Sequence, residues 1–138
     1  MPIAIRKVNY VYVTAGSKPR EAARILGAVR DANIDLLAFT GFPAARNKAQ
    51  IDLVAADVAP LRAVAKRLGL KLSRGKRVFL AQGVDEVGAA IPPLETLGAN
   101  NINVIAADAI ASGNGRFGML FWVTPRDYNR AAKLLDAK

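Results

Sequence analysis

"SKPREAARILGAVRDANID", residues 17–35, and "DEVGAAIPPLETLGANNIN", residues 85–103, decide how this chain folds. Each opens on a short polar pair, runs through a helical stretch and closes on an Asn-Ile step. Sliding the chain on itself by 68 residues lays Asn33-Ile34 on Asn101-Ile102. The same shift sets Val11-Tyr12-Val13 against Phe79-Leu80-Ala81, and Ile51-Asp52-Leu53-Val54 against Met119-Leu120-Phe121-Trp122. One residue of slack brings Ala65-Lys66-Arg67-Leu68 onto Ala132-Lys133-Leu134-Leu135. Few identities survive, but the order of elements does. Self-similarity at a fixed period is the signature of a repeated unit.

Periodicity supplies the elements. Val8 to Thr14, rich in Val and Tyr, predicts a strand. Pro19 to Ala32 places Ala22, Ile25, Leu26 and Val29 on one helical face, with Ser17 as N-cap and Pro19 near the first turn. Ile34 to Phe42 and Gln50 to Ala56 predict two strands joined by a Pro- and Asn-bearing loop. Leu61, Val64, Ala65 and Leu68 repeat the helical spacing, Gly69 suits the stop, and Leu70 to Ser73 predicts a short strand.

The second copy predicts strand Val78 to Gln82, a helix ending near Ala99, and strands Ile102 to Ile110 and Arg116 to Val123. Ser112-Gly113-Asn114-Gly115 marks the turn between the last two. Thr124-Pro125 opens the final helix, with Tyr128, Ala131, Ala132 and Leu135 as its buried stripe. Pro92 and Pro93 belong in the opening turn of the preceding helix, because farther inside they would break it.

The expected fold class is therefore α+β: two tandem ferredoxin-like βαββαβ repeats, each an antiparallel sheet with helices on one face, over residues 1–75 and 76–138. Copies this small bury little apolar surface alone, which favours two packed together. The second copy stops after its last helix and lacks a fourth strand. Residues 2–6, or a partner chain, are expected to cover that edge.

Composition narrows the function. With 52% hydrophobic residues the chain can fill a core, and no apolar run approaches a membrane span. Met1 to Lys7 lacks a signal-peptide core, so a cytoplasmic protein is expected. There is no Cys and no His. That removes disulfides, thiolate nucleophiles, sulfur-ligated metals and the commonest general base at neutral pH. No phosphate loop, zinc pattern, nucleophile elbow or usefully spaced carboxylate pair appears, so a non-enzymatic protein without cofactor or metal is expected. The net charge is +9, and Arg62, Lys66, Arg67, Lys71, Arg74, Lys76 and Arg77 follow one another without an intervening acid. Such a stripe can be a solvated helix face and loop, or can attract polyanions.

The repeated segments resemble those of ACT domains, the small amino-acid-sensing modules attached to many metabolic enzymes and regulators. Their pattern is a strand, an Asp-x-Pro-Gly loop, a helix and an Asn-Ile step into the next strand. Asp85-Glu86-Val87-Gly88 with Asn101-Ile102-Asn103 matches it without the Pro, and Ser17-Lys18-Pro19-Arg20 with Asn33-Ile34-Asp35 matches it with Arg20 in place of Gly. In both copies the Asn stands 14 positions after the Pro position. The resemblance covers nearly the whole chain. It implies a free amino acid or similar small zwitterion held between paired modules, against the loop after the first strand and the start of the second. It further implies a regulatory role and a homodimer.

Carried over by position, the implied ligand-binding residues are Gln82, Gly83, Asp85, Gly88, Asn101 and Asn103, with Thr14, Gly16, Ser17, Asn33 and Asp35 in the first copy. The chemistry suits the purpose. A loop entering a helix offers unpaired N–H groups and positive dipole to a carboxylate, and a facing amide or carboxylate can hold the ammonium. Against this, Asp85 and Ser17 can be helix caps and the Asn residues helix stops. Arg20 would either obstruct the first site or pair with the ligand carboxylate.

One alternative is a basic ferredoxin-like RNA-binding protein. Gly115-Arg116-Phe117-Gly118-Met119-Leu120-Phe121-Trp122 resembles the third-strand signature of RNA-recognition domains, with the register displaced by one residue. The first copy's third strand has no aromatic, so Phe117, Phe121 and Trp122 are read as sheet and interface packing.

Overall fold

The computed structural model describes residues 3–138. The chain is α+β and divides into two compact units. The first unit is Asn9–Lys76, and the second joins the described residues up to Val8 with Arg77–Lys138.

Strand β1 (Ala4–Gly16) serves both units. In the first it is followed by α1 (Glu21–Asp31), β2 (Leu36–Pro43), β3 (Lys48–Ala55) and α2 (Leu61–Leu68). The strand order is β2-β3-β1, with antiparallel pairs such as Tyr10 opposite Val54 and Gly41 opposite Ile51. Side chains alternate along a strand, so Val11, Val13 and Ala15 of β1 and Ile51, Leu53 and Ala55 of β3 share one face. Ile25 and Val29 of α1 and Leu61 and Val64 of α2 close over it.

The second unit holds β4 (Lys76–Val84), α3 (Ile91–Ala99), β5 (Ala106–Gly113), β6 (Arg116–Trp122) and α4 (Pro125–Leu134). Its strand order is β1-β4-β6-β5. Phe79, Ala81, Phe117, Met119 and Phe121 form the sheet side of its core, and Leu97, Tyr128, Ala131 and Ala132 the helix side. Phe79 stacks on Tyr128 at 4.4 Å and on Phe121 at 5.2 Å, an aromatic run with no equivalent in the first core. Arg77 lies over the Tyr128 ring at 4.1 Å. The Tyr128 hydroxyl donates to the Val78 carbonyl at 3.1 Å, and burial pushes it up to about 12, against a smaller opposing pull from Arg77.

The edge expected to lack a strand is covered by the chain itself. The start of β1 runs beside β4, Ile5 is part of the second core, and the Lys138 amide donates to the Ile5 carbonyl at 2.9 Å. Pro2, included in that expectation, lies outside the described residues.

The two units also match in backbone conformation. Left-handed φ values occur at Arg20 and Gly88, Asn33 and Asn101, and Asn47 and Gly115, each pair 68 apart, and at Gly69 and Asp136, 67 apart. All four helices end alike. The left-handed residue's amide bonds three residues back, and the next amide, on Ile34, Leu70, Ile102 or Ala137, bonds five back. This is the Schellman stop, and its apolar follower packs against the last turn. The Asn-Ile step of the sequence is therefore a helix terminator with a hydrophobic clasp.

Three local expectations are corrected. Helix α1 starts at Glu21 behind a left-handed Arg20, and Ser17 caps nothing; its amide donates instead to the Asn47 carbonyl at 3.0 Å. The Leu70 to Ser73 strand reduces to one bridge between Leu72 and Val13. There Ser73 brackets Tyr12, its amide donating to the Tyr12 carbonyl while its Oγ accepts the Tyr12 amide, so a side chain replaces the next ladder rung. Strand β5 begins at Ala106 rather than Ile102, because Ile102 is spent clasping α3 and the ladder starts only where the Ile105 amide reaches the Trp122 carbonyl.

Among the described residues, no helix is long and apolar enough to cross a membrane.

Candidate functional site

Each unit has a cleft where its first helix begins. In the first unit, the loop after β1 is anchored by the Ser17 amide on Asn47, and the antiparallel return of β2 brings Gly41–Pro43 alongside. The result is a cleft of about 440 Å³. Ala15, Ile51, Phe42 and Pro43 make its apolar wall, and the Gly16 backbone with Ser17, Lys18 and Glu21 its polar one. A Cβ added at Gly16 would meet nothing within 4 Å, so the backbone there is open to approach.

Electrostatically the first cleft is bipolar. Lys18 and Glu21 both line it, and Glu21 is fixed by Arg24 at 2.6 Å. No side chain caps α1, which leaves the amides of Ala22 and Ala23 in the first turn, with the positive helix end behind them. A carboxylate suits Lys18 and these amides, and an ammonium suits Glu21.

The second unit repeats the framework and inverts the chemistry. The Asp85 amide donates to the Gly115 carbonyl at 2.8 Å, the counterpart of Ser17 on Asn47. The cleft is smaller, about 240 Å³, and its ionic lining is Asp85 and Glu86 without a cation. Helix α3 starts only at Ile91, so Asp85 is not its cap. Pro92 and Pro93 in the first turn have no N–H to offer, and the Ile91 amide already donates to the Gly88 carbonyl at 3.0 Å. Ile91 also leans over Gly88, where an added Cβ would come 3.2 Å from its Cδ1.

The residues implied by the ACT resemblance are distributed as follows. Gly16 and Ser17 line the first cleft, and Asp85 and Gly88 the second. Asn33 and Asp35 line a different groove of about 610 Å³ at the far end of α1, beside Leu26, Leu36 and Phe39. An 11-residue helix puts those two ends roughly 16 Å apart, so one unit alone cannot bring them to one ligand. Asn101 and Asn103 are exposed beyond the end of α3, away from the second cleft's lining. Strand alternation sets Thr14 and Gln82 opposite the helix-covered face, and Gln82 accepts a hydrogen bond from Arg6 at 3.1 Å. Gly83 is buried, with Phe117 occupying the space beside it at 3.3 Å from an added Cβ.

Arg20, at the Gly position of the ACT pattern, is exposed and outside the first cleft's lining. What that position demands is a left-handed backbone, which Gly88 supplies without strain and Arg20 does not. Sequence reasoning missed Lys18, Glu21, Phe42 and Pro43 as cleft residues. Lys18 and Glu21 flank the singled-out positions, and the strand pattern places Phe42 where β2 ends beside the loop. Phe117 and Phe121 are buried in the second core and Trp122 is buried as well, so no base-stacking platform is formed by these three.

No protein-family model matches the chain, and a search of curated proteins finds no match. Solved structures do match. The chain is similar to a protein from Bacteroides thetaiotaomicron at a TM-score of 0.77 and 13% identity, over 97% of this chain and 88% of that one. It is similar to the aspartokinase alpha and beta subunits at 0.66 and 19%, over 98% and 95%. It is similar to the regulatory subunit of aspartate kinase from Thermus thermophilus, in its ligand-free form, at 0.64 and 13%, over 99% and 95%. These likenesses establish an ACT-type α+β fold.

Proposed function

We propose that the chain is a non-enzymatic, cytoplasmic regulatory module that binds a free amino acid or similar zwitterion, built from two ACT-like copies, residues 1–75 and 76–138, with the strand segment before Asn9 lent to the second. The observation that carries this reading is the first cleft: Lys18, Glu21 and uncapped amides around an apolar wall match the two charges and the side chain of an amino acid. Likeness to the regulatory subunit of aspartate kinase from Thermus thermophilus supports it at the level of the fold.

Asn33 and Asp35 stand at the other end of α1, so they would join such a site only from another module. We therefore read the protein as a homodimer meeting through sheet edges or helix faces. Phe39 on β2 and Ile110 on β5 stand exposed on the outermost strands of the two units. A ligand bridging two modules shifts the balance between their arrangements by its differential affinity for them.

The test is a thermal-shift panel of the twenty amino acids, repeated with Lys18→Glu. Ligand at about a hundred times its dissociation constant should add roughly 2.7 kcal/mol of stability. One or a few amino acids should raise the melting temperature of the wild type and not of the variant. A flat panel would remove the sensing claim and leave the fold untouched.

A further inference from the structure

The basic run that ends the first unit takes no part in the cleft. Of the chain's 20 basic and 11 acidic residues, twelve and five fall between Asn9 and Lys76, so the first unit carries most of the excess charge. Helix α2 buries Leu61, Val64 and Ala65 and turns Arg62, Lys66 and Arg67 outward. Arg62 and Lys66 lie one turn apart on the same face, a rise of about 6 Å. Gly69, left-handed, then reverses the chain. Leu70 and Leu72 pack inward on the core and leave Lys71 pointing out between them, followed by exposed Arg74 and Lys76. None of the ion pairs among the described residues involves these six cations. Arg77, the seventh of the run, is engaged elsewhere, on Asn129 and the Tyr128 ring.

The surface is as informative for what it lacks. No large hydrophobic residue between Arg62 and Lys76 is exposed, whereas protein interfaces centre on apolar or aromatic anchors and are depleted in Lys. No aromatic lies in the run to stack an unpaired base. Cations without anchors or stacking platforms fit a partner whose exposed chemistry is a dense row of phosphates. We propose that the outer face of α2 and the segment to Lys76 bind the sugar-phosphate backbone of a double-stranded nucleic acid, without reading its sequence.

Fluorescence anisotropy with a short labelled duplex, as DNA and as RNA, tests this on the full chain. Log affinity should fall linearly with log salt, with a slope of about −4 if some four to five phosphates are engaged. The variant K66E/R67E should bind at least roughly tenfold more weakly at low salt and flatten the slope by about two. The variant R126E/K133E makes the same charge change on exposed positions of α4 and should bind as the wild type does. Unchanged melting temperatures will certify that both variants are folded. Stronger binding of one duplex type identifies the source of the phosphates. Equal losses in the two variants would mean that only overall charge acts, and overturn the proposal. So would displacement by polyglutamate as effective as by unlabelled duplex.

Discussion

The two helix-entry loops share a backbone and little else. Ser17 and Asp85 are held by equivalent amide bonds, to Asn47 and Gly115, and Arg20 and Gly88 share a left-handed φ near 75° (73° and 78°). Yet one loop brings Lys18 and a helix end without a side-chain cap to the larger cleft, and the other brings two carboxylates to a smaller one, beside a helix whose first turn carries two prolines. The scaffold sets where a loop stands; its side chains set what it can hold. The loop that matches the ACT pattern better, with Asp85 and Gly88 both in place, is the one less equipped to take a carboxylate.

That contrast can be tested at four depths. The deepest lies in the cores. Phe79→Ala should cost about 3–5 kcal/mol in urea denaturation, and the equivalent Val11→Ala clearly less, because the first core has no aromatic run to lose. Equal costs would mean that the aromatic stack adds nothing. Next are the clefts themselves. Lys18→Glu should abolish the amino-acid stabilisation of about 2.7 kcal/mol, while Asp85→Lys leaves it intact; calorimetric titration of both would reveal the reverse pattern if the second cleft were the binding one.

The shared φ offers a smaller and cleaner lever. Arg20→Gly should stabilise by about 1 kcal/mol, and Gly88→Ala should destabilise by at least that much, since its Cβ adds a clash with Ile91 to the strain. Opposite signs in thermal melts are required. Last is Tyr128, whose counterpart in the first unit is Leu61, with no hydroxyl to titrate. The fold keeps Tyr128 protonated, so its contribution is complete below pH 10 and fades as the pH rises through 10 towards about 12. A tyrosinate absorbance titration should show a late-ionising component that is missing in Tyr128→Phe, which itself should cost about 1 kcal/mol by removing the hydrogen bond to the Val78 carbonyl.

Much of this architecture is legible in the sequence, for identifiable reasons. Buried helix faces leave a spacing that survives any neighbour, and Tyr128, Ala131 and Ala132 are buried as that spacing requires. The Asn-Ile step is legible because a Schellman stop needs both a residue tolerant of left-handed backbone and an apolar clasp. The bounds of β5 are not, because every residue of it is exposed and an edge without an inward face has no alternation to show where the ladder begins. The clefts were half legible. Gly16, Ser17, Asp85 and Gly88 follow from the loop pattern, but Phe42 and Pro43 depend on where an antiparallel partner ends. Nothing in the local sequence at Ser17 separates a helix cap from a loop anchor.

Strand β1 leaves the ribosome long before β4 exists. Its leading residues stay without their neighbour until some seventy further residues have been made, and the Lys138 amide then fastens onto Ile5. A nascent chain can therefore close its first unit early, but its second only after β4, β5, β6 and α4 have followed, by capturing a segment made before the whole of the first unit. Expressing residues 76–138 by themselves would produce a sheet with an open seam, and adding back residues 3–8 as a peptide would be the natural way to mend it.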